Sequence, residues 1–99
     1  MDEIEKLADV FKALSDPTRL RLIKLLNKHG GALCVNALSH SLGVSQSAVS
    51  QHLRILRQVE MVKGERKGNS VHYELKKNVL KKYKTVIIKT LGEEFAIIT

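Results

Sequence analysis

Cysteine, proline and aromatic residues are scarce in this chain of 99 residues, which contains one cysteine, one proline, two tyrosines, two phenylalanines and no tryptophan. A single cysteine excludes an internal disulfide and an all-cysteine metal site within one chain. Four aromatic residues leave little material for an aromatic-rich protein-binding surface. A membrane-spanning helix is not expected either, since no stretch approaches about 20 consecutive apolar residues.

Basic charge is the feature present in excess. The formal net charge of +7 favours a polyanionic partner such as nucleic acid or an acidic membrane surface. The acidic start at residues 1–5 is the opposite of a signal peptide, so we expect a cytoplasmic protein. Neither a phosphate-binding glycine loop nor paired catalytic carboxylates can be recognised, and we therefore predict that the chain is not an enzyme.

Two amphipathic helices are predicted in the first third of the chain. Apolar residues recur every three or four positions from about Asp2 to Leu14, and a second helix is expected from Pro17 to Lys28, before Gly30 and Gly31. Its predicted buried residues are Leu20, Leu22, Ile23 and Leu26. Its predicted solvent-exposed residues are Arg19, Arg21 and Lys24.

A helix-turn-helix pattern follows. A short helix is predicted from Val35 to Leu42, Gly43 permits a tight turn, and a second helix is predicted over residues 45–59. This second helix, called the recognition helix below, has apolar residues on one side at Val49, Leu53 and Leu56. His52 lies at the border of its two faces, where packing and hydrogen bonding are favoured over a contact with a DNA backbone.

A β-hairpin and a last helix complete the pattern. Residues 62–66 and 70–75 alternate around a turn at Lys67-Gly68-Asn69, which indicates a wing over residues 62–75. An apolar stripe from Val79 to Leu91 predicts a final helix, which Gly92 weakens or ends. We therefore predict a single domain, 1–99, that is mainly α with a small β-hairpin: a winged helix-turn-helix with about five helices.

The outer face of the recognition helix carries side chains suited to DNA. Glutamine can pair with adenine, serine can bind bases or phosphates, and arginine can bind phosphate or guanine. The wing adds basic residues that suit the phosphate backbone. The predicted DNA-binding residues are Ser45, Gln46, Ser47, Ser50, Gln51 and Arg54 on the helix, with Lys63, Arg66 and Lys67 on the wing. The lysines from Lys76 to Lys84 are equally compatible with an ordinary solvated helix face.

Two blocks of the sequence, FKALSDPTRLRLI at residues 11–23 and SQSAVSQHLRIL at residues 45–56, closely resemble the two signature blocks of the ArsR/SmtB family. The resemblance implies a homodimeric transcriptional repressor that binds duplex DNA, with its first and last helices forming the dimer interface. The interface residues expected on this basis are Ile4, Leu7, Phe11, Leu80, Tyr83, Ile87 and Leu91. The alternative is that both helices merely close the core of the monomer. A two-fold dimer predicts an inverted-repeat operator with half-sites about 34 Å apart.

The family's metal-sensing sites have no complete counterpart here. Residues 34–38 are similar to the family's Cys-Val-Cys-Asp-Leu sensor box, but Asn36 replaces the second cysteine and Ala37 the aspartate. The last helix contains no histidine and no aspartate. We therefore predict no metal site and no cofactor; Cys34 is at most a weak candidate ligand, because one thiolate is a poor metal site.

Several alternatives stay open. Cys34 is expected to be a structural thiol, but a redox or intersubunit role would make the chain a metal- or redox-responsive regulator. His29, His40 and His72 are expected at the surface. The chain could instead be a winged-helix module that binds protein or RNA, although the polar outer face of the recognition helix favours DNA. The operator sequence, the regulated genes and any effector are not specified by the sequence.

Overall fold

Six helices and three strands make up the fold in the computed structural model, which describes residues 1–98. The helices are α1 (Glu3–Leu14), α2 (Pro17–His29), α3 (Val35–Leu42), α4 (Gln46–Gln58), α5 (Lys77–Leu91) and α6 (Glu93–Ile98). The strands are β1 (Leu33–Cys34), β2 (Val62–Lys67) and β3 (Ser70–Leu75). This order is a winged helix-turn-helix, as the sequence predicts. The expectation of about five helices is confirmed within its stated approximation; the sixth arises because the chain resumes as α6 after Gly92 ends α5.

Local capping explains why the predicted helix boundaries agree closely with the structure. The side chains of Asp2, Asp16 and Ser45 each accept a hydrogen bond from a backbone N–H in the first turn of α1, α2 and α4. Pro17 occupies the first turn of α2, where its missing N–H costs nothing. Gly43 ends α3 in a left-handed conformation, with φ of 66°, and so allows the tight turn into α4.

The strands form one antiparallel sheet in the order β1-β3-β2. β2 and β3 are the predicted wing, in which Val62 pairs with Leu75 and Lys67 with Ser70. β1 was not predicted: it is two residues long and lies on the other side of β3, where Cys34 pairs with His72. The wing is therefore anchored on a third strand that leads directly into α3.

The core lies where α2, α3 and α4 meet the base of the wing. Its largest fully buried side chains are Leu22, Leu26, Leu38, Leu53, Leu56, Val49 and Val62. α1 and α5 pack against each other at its edge, and Leu7 of α1 is buried in this way within the single chain. In residues 1–98, no helix is both long enough and apolar enough to cross a membrane.

Leu20 and Arg19 occupy positions that differ from the sequence prediction. Leu20, expected in the core, is 50% exposed, whereas Leu22 is fully buried. Residues two apart on a helix point roughly 200° away from each other, so the two leucines cannot face the same core. Arg19, expected in solvent, is half-buried because its side chain is turned toward α1 and α4.

Truncation of the two leucines tests this orientation of α2. We expect Leu22→Ala to lower the free energy of unfolding by about 2–5 kcal/mol, since it removes buried apolar atoms and leaves a cavity. The matched variant Leu20→Ala should change it by no more than about 0.5 kcal/mol. Urea denaturation followed by circular dichroism measures both values. Equal losses in the two variants would contradict the placement of Leu20 outside the core.

Candidate nucleic-acid interface

The recognition helix predicted over residues 45–59 is α4, with Ser45 as its N-cap and Val59 as its C-cap. The hydroxyl of Ser45 accepts a hydrogen bond from the N–H of Ala48 at 3.1 Å. One side of α4 is buried, with Val49, Leu53 and Leu56 all at 0% exposure. The opposite side is open to solvent. All six residues predicted there to bind DNA are exposed: Ser45, Gln46, Ser47, Ser50, Gln51 and Arg54.

Gln46 is the one member of this set with a side-chain partner in another helix. Its amide nitrogen donates to the side-chain oxygen of Asn36, on α3, at 3.1 Å. Asn36 stands where the family's sensor box has its second cysteine. The two helices of the helix-turn-helix are thus joined by a hydrogen bond at the beginning of each, and the carbonyl oxygen of Gln46 stays available as an acceptor.

The three predicted wing residues are exposed but not equivalent. Arg66 and Lys67 lie next to the turn at Gly68 and Asn69, at the tip of the hairpin. Lys63 lies near its base, where its ammonium nitrogen is 3.1 Å from the carboxylate of Glu74 on the neighbouring strand. Because this carboxylate already partly neutralises Lys63, the tip offers the less compensated positive charge.

His52, in the middle of α4, is half-buried and hydrogen-bonded, which confirms the role predicted for it. Its Nδ1 lies 3.1 Å from a terminal nitrogen of the Arg19 guanidinium and 3.8 Å from the carboxylate of Asp16. The backbone N–H of Arg19 donates to that carboxylate, which lowers the pKa of Asp16 below its ordinary value; the charge of Arg19 acts in the same direction. Sequence reasoning assigned Arg19 only to a solvated face, since its partner is 33 residues away.

The sequence of this chain is similar to those of known bacterial regulatory proteins. Residues 16–63, which run from the cap of α2 to the start of the wing, match the model for bacterial regulatory proteins of the arsR family. The transcriptional repressor SmtB homolog of Synechocystis is 44% identical over 87 residues, which are 87% of this chain and 64% of that protein. The transcriptional repressor SdpR of Bacillus subtilis is 39% identical over 73% of this chain and 78% of that protein. The chain belongs to the ArsR family.

Solved structures agree with this assignment. An ArsR-like transcriptional regulator from Rhodococcus superposes with a TM-score of 0.78 and 28% identity, over 94% of this chain and 85% of that chain. The ArsR family consists of DNA-binding transcriptional regulators and not of enzymes, which confirms the prediction that this chain is not an enzyme.

The segment that resembles the ArsR sensor box is an integral part of the fold. Cys34 is half-buried and ends β1, and its Sγ caps α3 by accepting a weak hydrogen bond from the N–H of Ala37 at 3.4 Å. No group of three His, Cys, Asp or Glu side chains that could hold a metal ion occurs within residues 1–98. In this structure the thiol therefore acts as the cap of α3.

The three remaining histidines differ in exposure. His29 and His40 are exposed, as expected. His72 is not a surface residue: it lies half-buried in β3, opposite Cys34 on one side and Glu65 on the other, and its Nδ1 is buried without a hydrogen-bond partner. Its prediction was wrong because β1, which covers that edge of β3, was not anticipated.

Proposed function

We propose that this chain is a homodimeric repressor that binds an inverted-repeat operator, with α4 in the major groove and the wing on the phosphate backbone. The main support is the division of α4 into a fully buried apolar side and an exposed side with six polar or basic residues. An α-helix fits the major groove, where glutamine and arginine can pair with base edges. The short serines near its N-terminus leave room for a close approach to the DNA.

The wing is proposed to bind phosphates without reading sequence. Its two tip residues, Arg66 and Lys67, are exposed and lie next to the turn of the hairpin. The hairpin follows α4 directly in the sequence. Basic side chains at such a tip release counterions when they neutralise phosphates, and binding then weakens as salt rises. Lys63 is the weaker candidate of the three because of its ion pair with Glu74.

The dimer is proposed to form through α1, α5 and α6. Large apolar side chains are exposed on all three helices: Ile4, Phe11, Leu91 and Phe95. Between them, Val10, Leu14, Leu80, Tyr83 and Ile87 line a mainly apolar groove. Of the interface residues predicted from the sequence, Leu7 is already buried within the monomer, where it packs α1 against the rest of the chain. A second copy would cover the others symmetrically.

The proposed function further includes the absence of the family's usual metal switch. Asn36 is hydrogen-bonded to Gln46 and Ala37 supplies only a backbone N–H, so Cys34 stands without the thiolate and carboxylate that soft metal binding needs. We propose that metal ions do not release this chain from DNA.

Selection of binding sites from random duplex DNA tests the function. We expect enrichment of an inverted repeat whose half-sites are about one helical turn apart, because a two-fold dimer presents its two recognition helices symmetrically. Zinc or arsenite added during selection should leave the enrichment unchanged. Binding to single-stranded RNA alone, or no enriched duplex at all, would contradict the proposal.

The wing is tested by the salt dependence of binding to the selected duplex. The double variant Arg66→Ala, Lys67→Ala should weaken all duplex sequences alike and reduce the slope of log K against log salt by about one to two. The control Lys24→Ala, Lys28→Ala removes the same charge from exposed positions on α2, outside the proposed dimer helices. An unchanged slope in the wing variant, or an equal loss in the control, would remove the wing from the interface.

The dimer interface is tested by one leucine on each of two helices. Leu91 on α5 and Leu20 on α2 are both 50% exposed. Leu91→Asp should weaken dimerisation by roughly ten- to a hundredfold, because each of the two copies loses about half of the 1.5–3 kcal/mol that full burial of a leucine contributes. Leu20→Asp should leave it unchanged. Sedimentation equilibrium measures both, and a monomeric wild-type chain at micromolar concentration would contradict the proposed dimer.

A further inference from the structure

Arg19 joins three segments that are distant in the sequence. Its Nε donates to the backbone carbonyl of Ala13, in the last turn of α1, at 2.5 Å. Its backbone N–H donates to the carboxylate of Asp16, which caps α2, at 3.0 Å. Its terminal guanidinium nitrogen lies 3.1 Å from Nδ1 of His52. One half-buried side chain therefore connects the end of α1, the start of α2 and the middle of α4.

The chemistry of these partners determines how His52 bonds. A guanidinium can only donate hydrogen bonds, so Nδ1 of His52 is the acceptor in this contact. The carboxylate of Asp16, 3.8 Å from the same Nδ1, pairs electrostatically with the guanidinium. A lysine in place of Arg19 has a single ammonium group at the end of a flexible chain and cannot reproduce the two separate, planar contacts.

The recognition helix needs such a directional contact. Its other attachments to the core include Val49, Leu53 and Leu56, and apolar burial is non-directional, so these contacts constrain rotation and sliding of the helix only through shape. Base recognition requires side chains held within about 0.5 Å of their productive positions. Gln51, on the proposed DNA-binding face, directly precedes His52 in the sequence. A contact that holds His52 therefore also holds the backbone next to Gln51.

We propose that Arg19 and His52 form a positioning pair, which holds α4 in register with the α1–α2 junction and so links the proposed dimer helix α1 to DNA recognition. The proposal rests on the proposed function. Neither residue needs to touch DNA: Arg19 acts through His52, and His52 acts through its Nδ1 and not through its Nε2.

Two substitutions of His52 separate positioning from direct contact. In His52→Asn the side-chain oxygen can take the place of Nδ1 and accept from Arg19, so operator affinity should stay within about threefold of wild type. In His52→Gln the amide reaches the position of Nε2 instead, and affinity should fall by roughly tenfold or more. The opposite pattern, in which His52→Gln keeps its affinity and His52→Asn loses it, would overturn the proposal. It would mean that Nε2 of His52 contacts the DNA directly.

Arg19→Lys should lower affinity for the selected operator by roughly tenfold, with the salt slope unchanged because no phosphate contact is lost. The exposed Arg21→Lys is the matched control. The double variant Arg19→Lys, His52→Gln should lose no more than the worse single variant, since both disrupt one interaction. Wild-type affinity in Arg19→Lys, a slope reduced by about one, or additive losses would each overturn the proposal.

Two checks keep the outcomes distinct. Urea denaturation and sedimentation mass establish that each variant is folded and dimeric at the binding concentration; should Arg19→Lys fail to fold, the contrast between Asn and Gln at position 52 decides alone. If the wild-type chain enriches no duplex, the proposed function fails. If it binds its operator and the position 52 variants are indistinguishable from each other, the positioning pair fails while the function stands.

Discussion

The burial of Val49, Leu53 and Leu56 is the interaction on which the proposed DNA-binding surface depends. All three side chains have no exposed surface, and they pack α4 against α2, α3 and the base of the wing. The directions of side chains around a helix are fixed relative to one another, so the burial of this stripe also determines which residues of α4 face outward. The same fourteen-residue stretch, 45–58, therefore encodes both the hydrophobic core and the polar face that is proposed to enter the groove.

The short strand β1 extends this dependence to the wing. It pairs with β3 at Tyr73 and His72, and α3 begins at the residue that follows it. Cys34 is consequently the last residue of a strand, the N-cap of a helix and the neighbour of the half-buried His72. A thiol is an unusual N-cap, since Ser, Thr, Asp and Asn are the preferred residues there. Its place in the fold gives this single cysteine a structural role that needs no second metal ligand.

Much of the fold could be predicted from local signals, and the differences have a common physical cause. Caps such as Asp16 and Ser45, and turn glycines such as Gly43, act within a few residues, so helix ends and the polar face of α4 can be identified in the sequence. β1 forms only because β3, almost forty residues later, supplies its hydrogen bonds. The role of Arg19 likewise depends on His52. Periodicity correctly classifies it as polar but cannot tell which distant acceptor it meets.

The α1–α2 junction combines local capping with a contact to a residue that is distant in the sequence. Only Ser15 and Asp16 separate the helices, and both are hydrogen-bonded: the Ser15 hydroxyl donates to the carbonyl of Lys12, and the Asp16 carboxylate caps α2. With Arg19 also bound to Ala13, the end of α1 cannot rotate against α2 without disturbing the contact to His52. In the proposed dimer, a second copy seated on α1 would therefore act on the recognition helix through hydrogen bonds inside the chain, and none of these hydrogen bonds involves Cys34.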